Sequence, residues 1–252
     1  MMTTKTSAAF ALAAAALATT GTAFAGDLTA NAGATNNYIW RGLSQSENGA
    51  AISGGIDYVA DSGVYVGTWA SNVSYGANDR FSFEHDIYAG SRGGDVLTWD
   101  VGYLYYNYDK GADFDFSEAY VALGFKGFTL KYSALVQSGR DEDLDEGAEG
   151  LGTGLDYGFN KSNYVSLDYV YALPSEVTLG FHVGTHKGDF ARSFNGFNTN
   201  RYWDYNISIA KAGFKFMVSD TNLNDDKQMS WITFNNNGEP KYVVSYTHTF
   251  DL

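Results

Sequence analysis

The connections between strand-like segments alternate between short and long along the chain. Tight turns such as Asp61-Ser62-Gly63 and Lys126-Gly127 are each followed by a longer polar connection, and the longest connection covers residues 138–162. Barrels of the bacterial outer membrane have this asymmetry, because their short turns face the periplasm and their longer loops face outward. A Greek-key sandwich would mix its connection lengths. The pattern therefore favours antiparallel neighbours, with both termini at the end that carries the short turns.

The segments between these connections have the period-two alternation of β-strands. In residues 128–137, Phe128, Leu130 and Tyr132 share one face, and Thr129 and Lys131 lie on the other. A barrel in lipid needs an apolar outer face and a polar inner face, whereas a soluble barrel needs the reverse. Strands are predicted over residues 28–43, 51–60, 64–73, 81–91, 96–108, 114–125, 128–137, 163–172, 177–186, 202–210, 214–220 and 241–252.

The predicted fold is therefore a single all-β, antiparallel up-and-down transmembrane β-barrel of about twelve strands. It has short periplasmic turns and longer extracellular loops. A barrel of this size is too wide for side chains alone to fill. The aromatic content of 16% and the presence of only 2 Pro agree with an all-β chain. Composition by itself does not separate this barrel from a soluble β-sandwich, which is the alternative fold.

Residues 1–25 have the features of a cleaved export signal. Lys5 is the only charged residue before Asp27, residues 8–18 form a short apolar run, and Ala23-Phe24-Ala25 is a small-x-small cleavage site. The apolar run is too short for a membrane-spanning helix. We predict a signal peptide over residues 1–25 and an outer-membrane β-barrel domain over residues 26–252. The chain has no Cys, so disulfides and Cys-based metal sites are excluded.

The last strand, residues 241–252, ends in aromatic and apolar residues. Such an ending is similar to the C-terminal signal of bacterial outer-membrane barrels, which usually finish in Phe. Here Phe250 is followed by Asp251 and Leu252, so the match is near rather than complete. We predict that Tyr246, Phe250 and Leu252 form the signal that the barrel-insertion machinery reads. A strand that closes a soluble sandwich would show the same alternation.

Four motifs resemble the TorF family of Gram-negative outer-membrane porins. They are NYIWRGLSQS at residues 37–46, GGIDY at 54–58, GVYVGTWASN at 63–72 and DIYAG at 86–90. The resemblance is strongest over residues 35–110. It implies an outer-membrane barrel and carries no catalytic or ligand-binding residues.

Strand parity places many more carboxylates than cationic side chains on the predicted inner face. Glu84, Asp86, Asp100 and Glu118 belong to three consecutive strands, so we expect them to form one acidic wall that favours cations. In the alternative interpretation, these acids pair with Arg41, Lys131 and Lys215 and plug the barrel. The predicted pore-lining residues are Asp57, Glu84, Asp86, Asp100, Glu118, Lys131, Asp168, Asp204 and Lys215.

No catalytic residue, cofactor or metal centre is predicted. The chain has no G-x-S-x-G motif. His85 and His248 fall on the apolar face, while His182 and His186 face inward about 13 Å apart along one strand, too far to share an ion. Six carboxylates between residues 141 and 149 lack the EF-hand spacing. They are either a solvated loop or a weak site for a divalent cation that bridges to lipopolysaccharide.

The net charge of −13 argues against a nucleic-acid partner. The sequence instead predicts a porin-like channel of the outer membrane through which small polar solutes or ions diffuse passively, with a preference for cations. A closed structural or surface-interaction barrel is the alternative. A membrane-embedded lipid hydrolase is a third interpretation, which lacks a recognisable triad. The expected partners are outer-membrane lipid, lipopolysaccharide, the insertion machinery and the solutes.

Overall fold

The computed structural model describes residues 26–76, 80–112, 114–139, 156–195, 199–224 and 237–252. A short helix, α1 (Asp189–Phe194), and a 3-10 turn (Pro174–Glu176) accompany the strands. In these ranges the strands are β1 (Gly26–Thr35), β2 (Ile39–Trp40), β3 (Leu43–Ser44), β4 (Ala51–Ala60), β5 (Val64–Asn72), β6 (Phe83–Gly93), β7 (Leu97–Tyr108), β8 (Phe116–Phe125), β9 (Phe128–Ser138), β10 (Asn163–Ala172), β11 (Thr178–Lys187), β12 (Arg201–Lys211), β13 (Phe214–Thr221) and β14 (Lys241–Asp251).

Twelve of the strands in the described ranges form one closed antiparallel barrel, in which each strand pairs with its neighbours along the chain. β1 closes the barrel, because it pairs with β4 on one side and with β14 on the other. Thr29 is opposite Asp57 in the first pair and opposite Asp251 in the second. The remaining two strands, β2 and β3, form a separate short ribbon. The predicted fold class is therefore confirmed.

The two faces of the strands differ as their alternation predicts. On β9, Phe128, Leu130 and Tyr132 are exposed, whereas Thr129 and Ser133 on the opposite face are buried. Since the outward positions carry large apolar side chains on every side of the barrel, the exposed surface is apolar where a bilayer would surround it. No α-helix in the described ranges is long and apolar enough to span a membrane.

The two ends of the barrel differ in their connections. One end, called the short-turn end, carries residues 61–63, 94–96, 126–127, 173–177 and 212–213, together with Gly26 and Asp251. The other end, called the long-loop end, carries, among the described residues, 36–50, 73–76, 80–82, 109–112, 114–115, 139, 156–162, 188–195, 199–200, 222–224 and 237–240.

The first predicted strand, residues 28–43, is wrong in its second half. β1 ends at Thr35, and the chain then leaves the barrel wall instead of continuing upward. The side chain of Asn36 caps the edge of β14: its Nδ2 donates to the Tyr242 carbonyl oxygen at 3.0 Å, and its Oδ1 accepts from the Val244 amide at 2.7 Å. The Asn36 amide still donates to the Val244 carbonyl oxygen at 3.2 Å, but its side chain takes the place of its carbonyl as the acceptor for Val244. The strand therefore stops here and the chain can turn inward.

The chain between Asn36 and Asn48, here called the inner ribbon, lies inside the barrel. Its Leu43 is buried in an aromatic core with Tyr106, Tyr108 and Phe116 from the barrel wall and Phe190 from α1. This core occupies the half of the lumen next to the long-loop end. Tyr106, Tyr108 and Phe116 lie on β7 and β8. The ribbon and α1 fill the central space that a twelve-strand barrel leaves inside its wall.

Candidate functional site

A tight turn forms the tip of the inner ribbon. β2 and β3 pair through Ile39 with Ser44 and Trp40 with Leu43, which leaves Arg41 and Gly42 as the two turn residues. Both have positive φ, 48° and 79°, as a two-residue type I′ hairpin turn requires. Gly42 also lies so close to Asp204 and Thr221 that an added Cβ would be 2.6 Å from either side chain. Glycine is therefore needed here for space as well as for conformation.

Arg41 is held inside the lumen by contacts with four barrel strands. Its Nη2 donates to Glu118 Oε2 at 2.5 Å, and the two side chains are 7% and 4% exposed. Its Nη1 lies 3.1 Å from His186 Nε2, and its guanidinium lies 4.3 Å from the ring centre of Tyr164. The hydroxyl of Tyr202 donates to the Arg41 carbonyl oxygen at 3.0 Å. The buried ion pair with Glu118, the stacking on Tyr164 and the hydrogen bond from Tyr202 together fix the ribbon tip.

The base of the inner ribbon is bonded to a second carboxylate. Tyr38 donates its hydroxyl to Glu84 Oε1 at 2.7 Å, and Tyr108 donates to Glu84 Oε2, also at 2.7 Å. The Tyr38 ring makes an edge contact with Trp69 at a centroid distance of 5.4 Å. Both Glu84 oxygens are therefore held by tyrosine hydroxyls, one from the ribbon and one from the barrel wall.

A histidine bridges two carboxylates beside the ribbon tip. His182 Nδ1 is 2.6 Å from Asp168 Oδ1, and His182 Nε2 is 2.9 Å from Asp204 Oδ1. Tyr164 donates its hydroxyl to Asp204 at 3.0 Å. Carboxylates accept hydrogen bonds, so this geometry suits an imidazolium ring that donates from both nitrogens. These side chains lie next to Arg41 through the shared Tyr164 ring.

Tyrosine–carboxylate pairs line the half of the lumen next to the short-turn end. Tyr65 donates to Asp100 Oδ1 at 2.6 Å, and the Tyr88 hydroxyl donates to Asp57. Lys131 Nζ lies 3.8 Å from the ring centre of Tyr120, within the range of a cation–π contact.

The nine predicted pore-lining side chains all stand at inward-facing strand positions, but in two different surroundings. Glu84, Asp86, Glu118 and Asp204 are buried close to the inner ribbon. Asp57, Asp100, Lys131, Asp168 and Lys215 lie towards the short-turn end, where Asp57 is buried and Asp168 is about one-third exposed. The expected acidic wall is thus divided, because the ribbon covers Glu84, Asp86 and Glu118 but leaves Asp100 outside.

The four histidines keep the facing that strand parity predicts. His85 and His248 point outward with the apolar residues, and His85 Nε2 is 2.6 Å from Thr68 Oγ1. His182 and His186 point inward and do not contact a serine among the described residues. Within those residues no group of three or more His, Cys, Asp or Glu side chains is arranged to hold a metal ion. The acidic stretch between residues 140 and 149 lies outside the described ranges.

Sequence reasoning missed the inner ribbon, although a signal for it is present. Asn36-Asn37 interrupts the alternation after β1, and Arg41-Gly42 separates Trp40 from Leu43 as a hairpin turn separates two short strands. Strand parity predicts that Arg41 faces inward. Its position on the ribbon tip, bonded to Glu118, depends on a chain reversal that a continuous strand over residues 28–43 excludes.

A family model matches residues 19–250, almost the whole chain; it is described as a bacterial protein of unknown function (Gcw_chp). The chain belongs to this family. No curated protein matches the sequence. Membership of the TorF family stays a prediction from the motifs that carry the resemblance.

Several solved porins have a similar structure. The KdgM porin superposes with a TM-score of 0.50 at 9% sequence identity, over 89% of this chain and 99% of that chain. The KdgM porin in complex with disordered oligogalacturonate gives 0.48 at 8% identity, over 90% and 99% of the two chains. OprD from Pseudomonas aeruginosa gives 0.38 at 13% identity, over 90% of this chain and 66% of OprD. At these identities the likeness to KdgM shows a common porin-like barrel fold.

Proposed function

We propose that the protein is an outer-membrane channel through which small polar solutes or ions diffuse passively, with a preference for cations. The observation that carries this proposal is the closed barrel with an apolar outer face and a charged inner face. The porin-like fold supports it. In this arrangement the short-turn end faces the periplasm, residues 1–25 are removed on export, and Tyr246, Phe250 and Leu252 guide insertion.

The cation preference rests on the balance of charge along the inner face. Seven of the predicted lining residues are carboxylates and two are lysines, and the buried Arg41 is matched by Glu118. Fixed negative charges along a narrow lumen attract cations and repel anions. Permeation runs down a concentration gradient and involves no covalent step and no cofactor.

A closed barrel with a structural or surface-interaction role is the second candidate, and the inner ribbon favours it. Arg41, Leu43 and the aromatic core fill the half of the lumen next to the long-loop end. A channel must conduct either through the space left beside the ribbon or after the ribbon moves. The hydrolase interpretation has less support, because the outward His85–Thr68 pair is not joined by a carboxylate among the described contacts.

Recording from purified protein in planar bilayers separates these candidates. We expect discrete conductance steps and a reversal potential of cation-selective sign under a salt gradient. Conductance that appears only after the ribbon is removed would favour the closed barrel. Absence of conductance in both the wild type and a variant without the ribbon would reject the channel. An anion-selective reversal potential would reject the preference for cations.

Neutralising four inner carboxylates tests which charges set the selectivity. The combined change Glu84→Gln, Asp86→Asn, Asp100→Asn and Glu118→Gln should move the reversal potential towards zero. The matched control neutralises Asp141, Glu142, Asp143 and Asp145 in the long acidic connection, and we expect it to leave the reversal potential almost unchanged. An equal shift in both variants would place the selectivity outside the lumen.

A further inference from the structure

Glu84 and Asp86 form a buried acidic pair without a cationic partner. They are neighbours on the inner face of β6, two positions apart, so their Cα atoms are about 6.6 Å apart. Their side chains are 2% and 7% exposed. Neither forms an ion pair with a described Lys, Arg or His, because Arg41 is bonded to Glu118 and His182 to Asp168 and Asp204. Two carboxyl groups in such a place are neutralised either by protons or by a compensating positive charge.

Asp86 also has an oxygen without a partner. Its Oδ1 is buried and receives no hydrogen bond, whereas both oxygens of the adjacent Glu84 accept from tyrosine hydroxyls. The cross-strand neighbours of Asp86 are Trp69 on β5 and Tyr106 on β7. The Tyr106 hydroxyl is directed towards Glu118, at 3.5 Å. Asp86 Oδ1 is therefore a buried acceptor that no described side-chain donor satisfies.

We propose that Glu84 and Asp86 bind a divalent cation of the Ca²⁺ class between β6 and the inner ribbon. Every candidate ligand is an oxygen atom, which is what hard cations prefer over thiolate or imidazole. Two carboxylates balance one divalent charge and leave a monovalent ion short by one. Mg²⁺ fits less well, because it keeps several waters in strict octahedral geometry, whereas Ca²⁺ accepts irregular oxygen shells.

The cation would join the ribbon to the barrel wall. Glu84 is the carboxylate to which the ribbon residue Tyr38 donates its hydrogen bond. When a cation neutralises Glu84 and Asp86, their mutual repulsion no longer opposes the packing of Tyr38 against Trp69. Cation binding and ribbon docking should therefore strengthen one another. This inference does not depend on conduction, since a closed barrel would bind the ion equally well.

Terbium luminescence in the folded, detergent-solubilised protein tests the site. Tb³⁺ substitutes for Ca²⁺ and emits when a nearby aromatic ring transfers energy to it, and Trp69 and Tyr106 flank Asp86. We expect sensitised emission from the chelator-treated wild type, displacement of that emission by Ca²⁺ but not by K⁺ at equal ionic strength, and at least a tenfold loss in Asp86→Asn and Glu84→Gln.

Two control variants keep the test specific. Asp100→Asn removes an inner carboxylate that is already bonded to Tyr65, and it should retain the emission. Replacing the acids of residues 141–149 with amides should retain it too. Unchanged emission in Asp86→Asn, or loss of emission in the loop variant alone, would overturn the proposal. Ca²⁺ should also raise the thermal midpoint of the wild type and not that of Asp86→Asn; equal shifts in both would reject the site.

Discussion

The two halves of the lumen are built from the same strands but have different contents. Next to the long-loop end, Glu118 is 4% exposed and bonded to Arg41 within an aromatic core. Towards the short-turn end, Asp168 also has a cationic partner, His182, yet its side chain is 34% exposed. Glu118 on β8 and Asp168 on β10 both occupy inward positions of the same period-two alternation. The inner ribbon accounts for the burial of Glu118, because it enters from one end only and brings Arg41 to this carboxylate.

The comparison shows that facing and environment are separate properties in a wide barrel. Strand parity decides which side chains point inward. Whether an inward carboxylate meets water or a buried partner depends on what else occupies the lumen. Each half should therefore respond differently to the same substitution.

The largest effect should follow removal of the ribbon. Replacing residues 38–46 with a Gly/Ser linker of equal length removes Arg41, Leu43 and the contacts that fill one half of the lumen. We expect single-channel conductance to rise several-fold, because the ribbon would no longer fill the half of the lumen next to the long-loop end. The control is the same replacement over residues 141–149. Similar conductance in the wild type and the ribbon variant would mean that the ribbon does not obstruct the path.

The two ends of β14 offer the next test. Changing Phe250 and Leu252 to Ser at the short-turn end should lower the yield of inserted barrel several-fold, because we propose that these residues belong to the insertion signal. The matched variant changes Tyr242 and Val244 to Ser, which are equally exposed on the outer face near the long-loop end. Heat-modifiability on gels measures the folded fraction. Equal yields from both variants would show that only outer-face hydrophobicity matters.

A stability comparison of Glu118→Gln with Asp168→Asn measures the difference between the halves directly. Glu118→Gln leaves Arg41 buried without its counter-ion and should lower the free energy of unfolding by about 3 kcal/mol. Asp168→Asn breaks a partly exposed pair and should cost less than about 1 kcal/mol. Urea unfolding of the refolded barrel gives both values. The comparison fails if the Asp168 variant is the less stable of the two.

The smallest effect concerns the connection that begins at Asp109, outside the barrel wall. Its carboxylate accepts hydrogen bonds from the backbone amide of Ser82, the Ser82 hydroxyl and the amide of Phe83, which lower the pKa of Asp109 below its ordinary value. A lowered pKa stabilises the fold above the ordinary pKa, and this contribution disappears as the pH falls through the lowered value.

Asp109→Asn should therefore reduce the thermal midpoint slightly at neutral pH and have no effect once the wild-type carboxyl is protonated. Melting curves of both proteins over the acidic range measure this difference. Because the carboxylate is largely exposed, we expect the change to be smaller than that of Glu118→Gln at every pH. If the thermal midpoints of the two proteins still differ at the lowest pH, Asp109 stabilises the fold by its packing rather than by its charge.

The sequence by itself determined the barrel. Apolar and polar positions alternate along each strand, and short turns alternate with long loops. Both patterns are local properties of the sequence. In the structure the last strand pairs with β1, and Tyr242, Tyr246 and Phe250 face outward, as the period-two alternation of residues 241–252 requires. Period two also predicted that Glu84, Asp86 and Glu118 point into the barrel.

Only the tertiary structure decided what those inward side chains meet. Arg41 and Glu118 come together across 77 positions of sequence, and their contact exists only because the ribbon turns inward at Asn36. The alternation of β8 carries no information about a segment that arrives from another part of the chain. A closed barrel leaves a central space, and the residues that fill it are selected by fit in three dimensions rather than by any repeat along one strand.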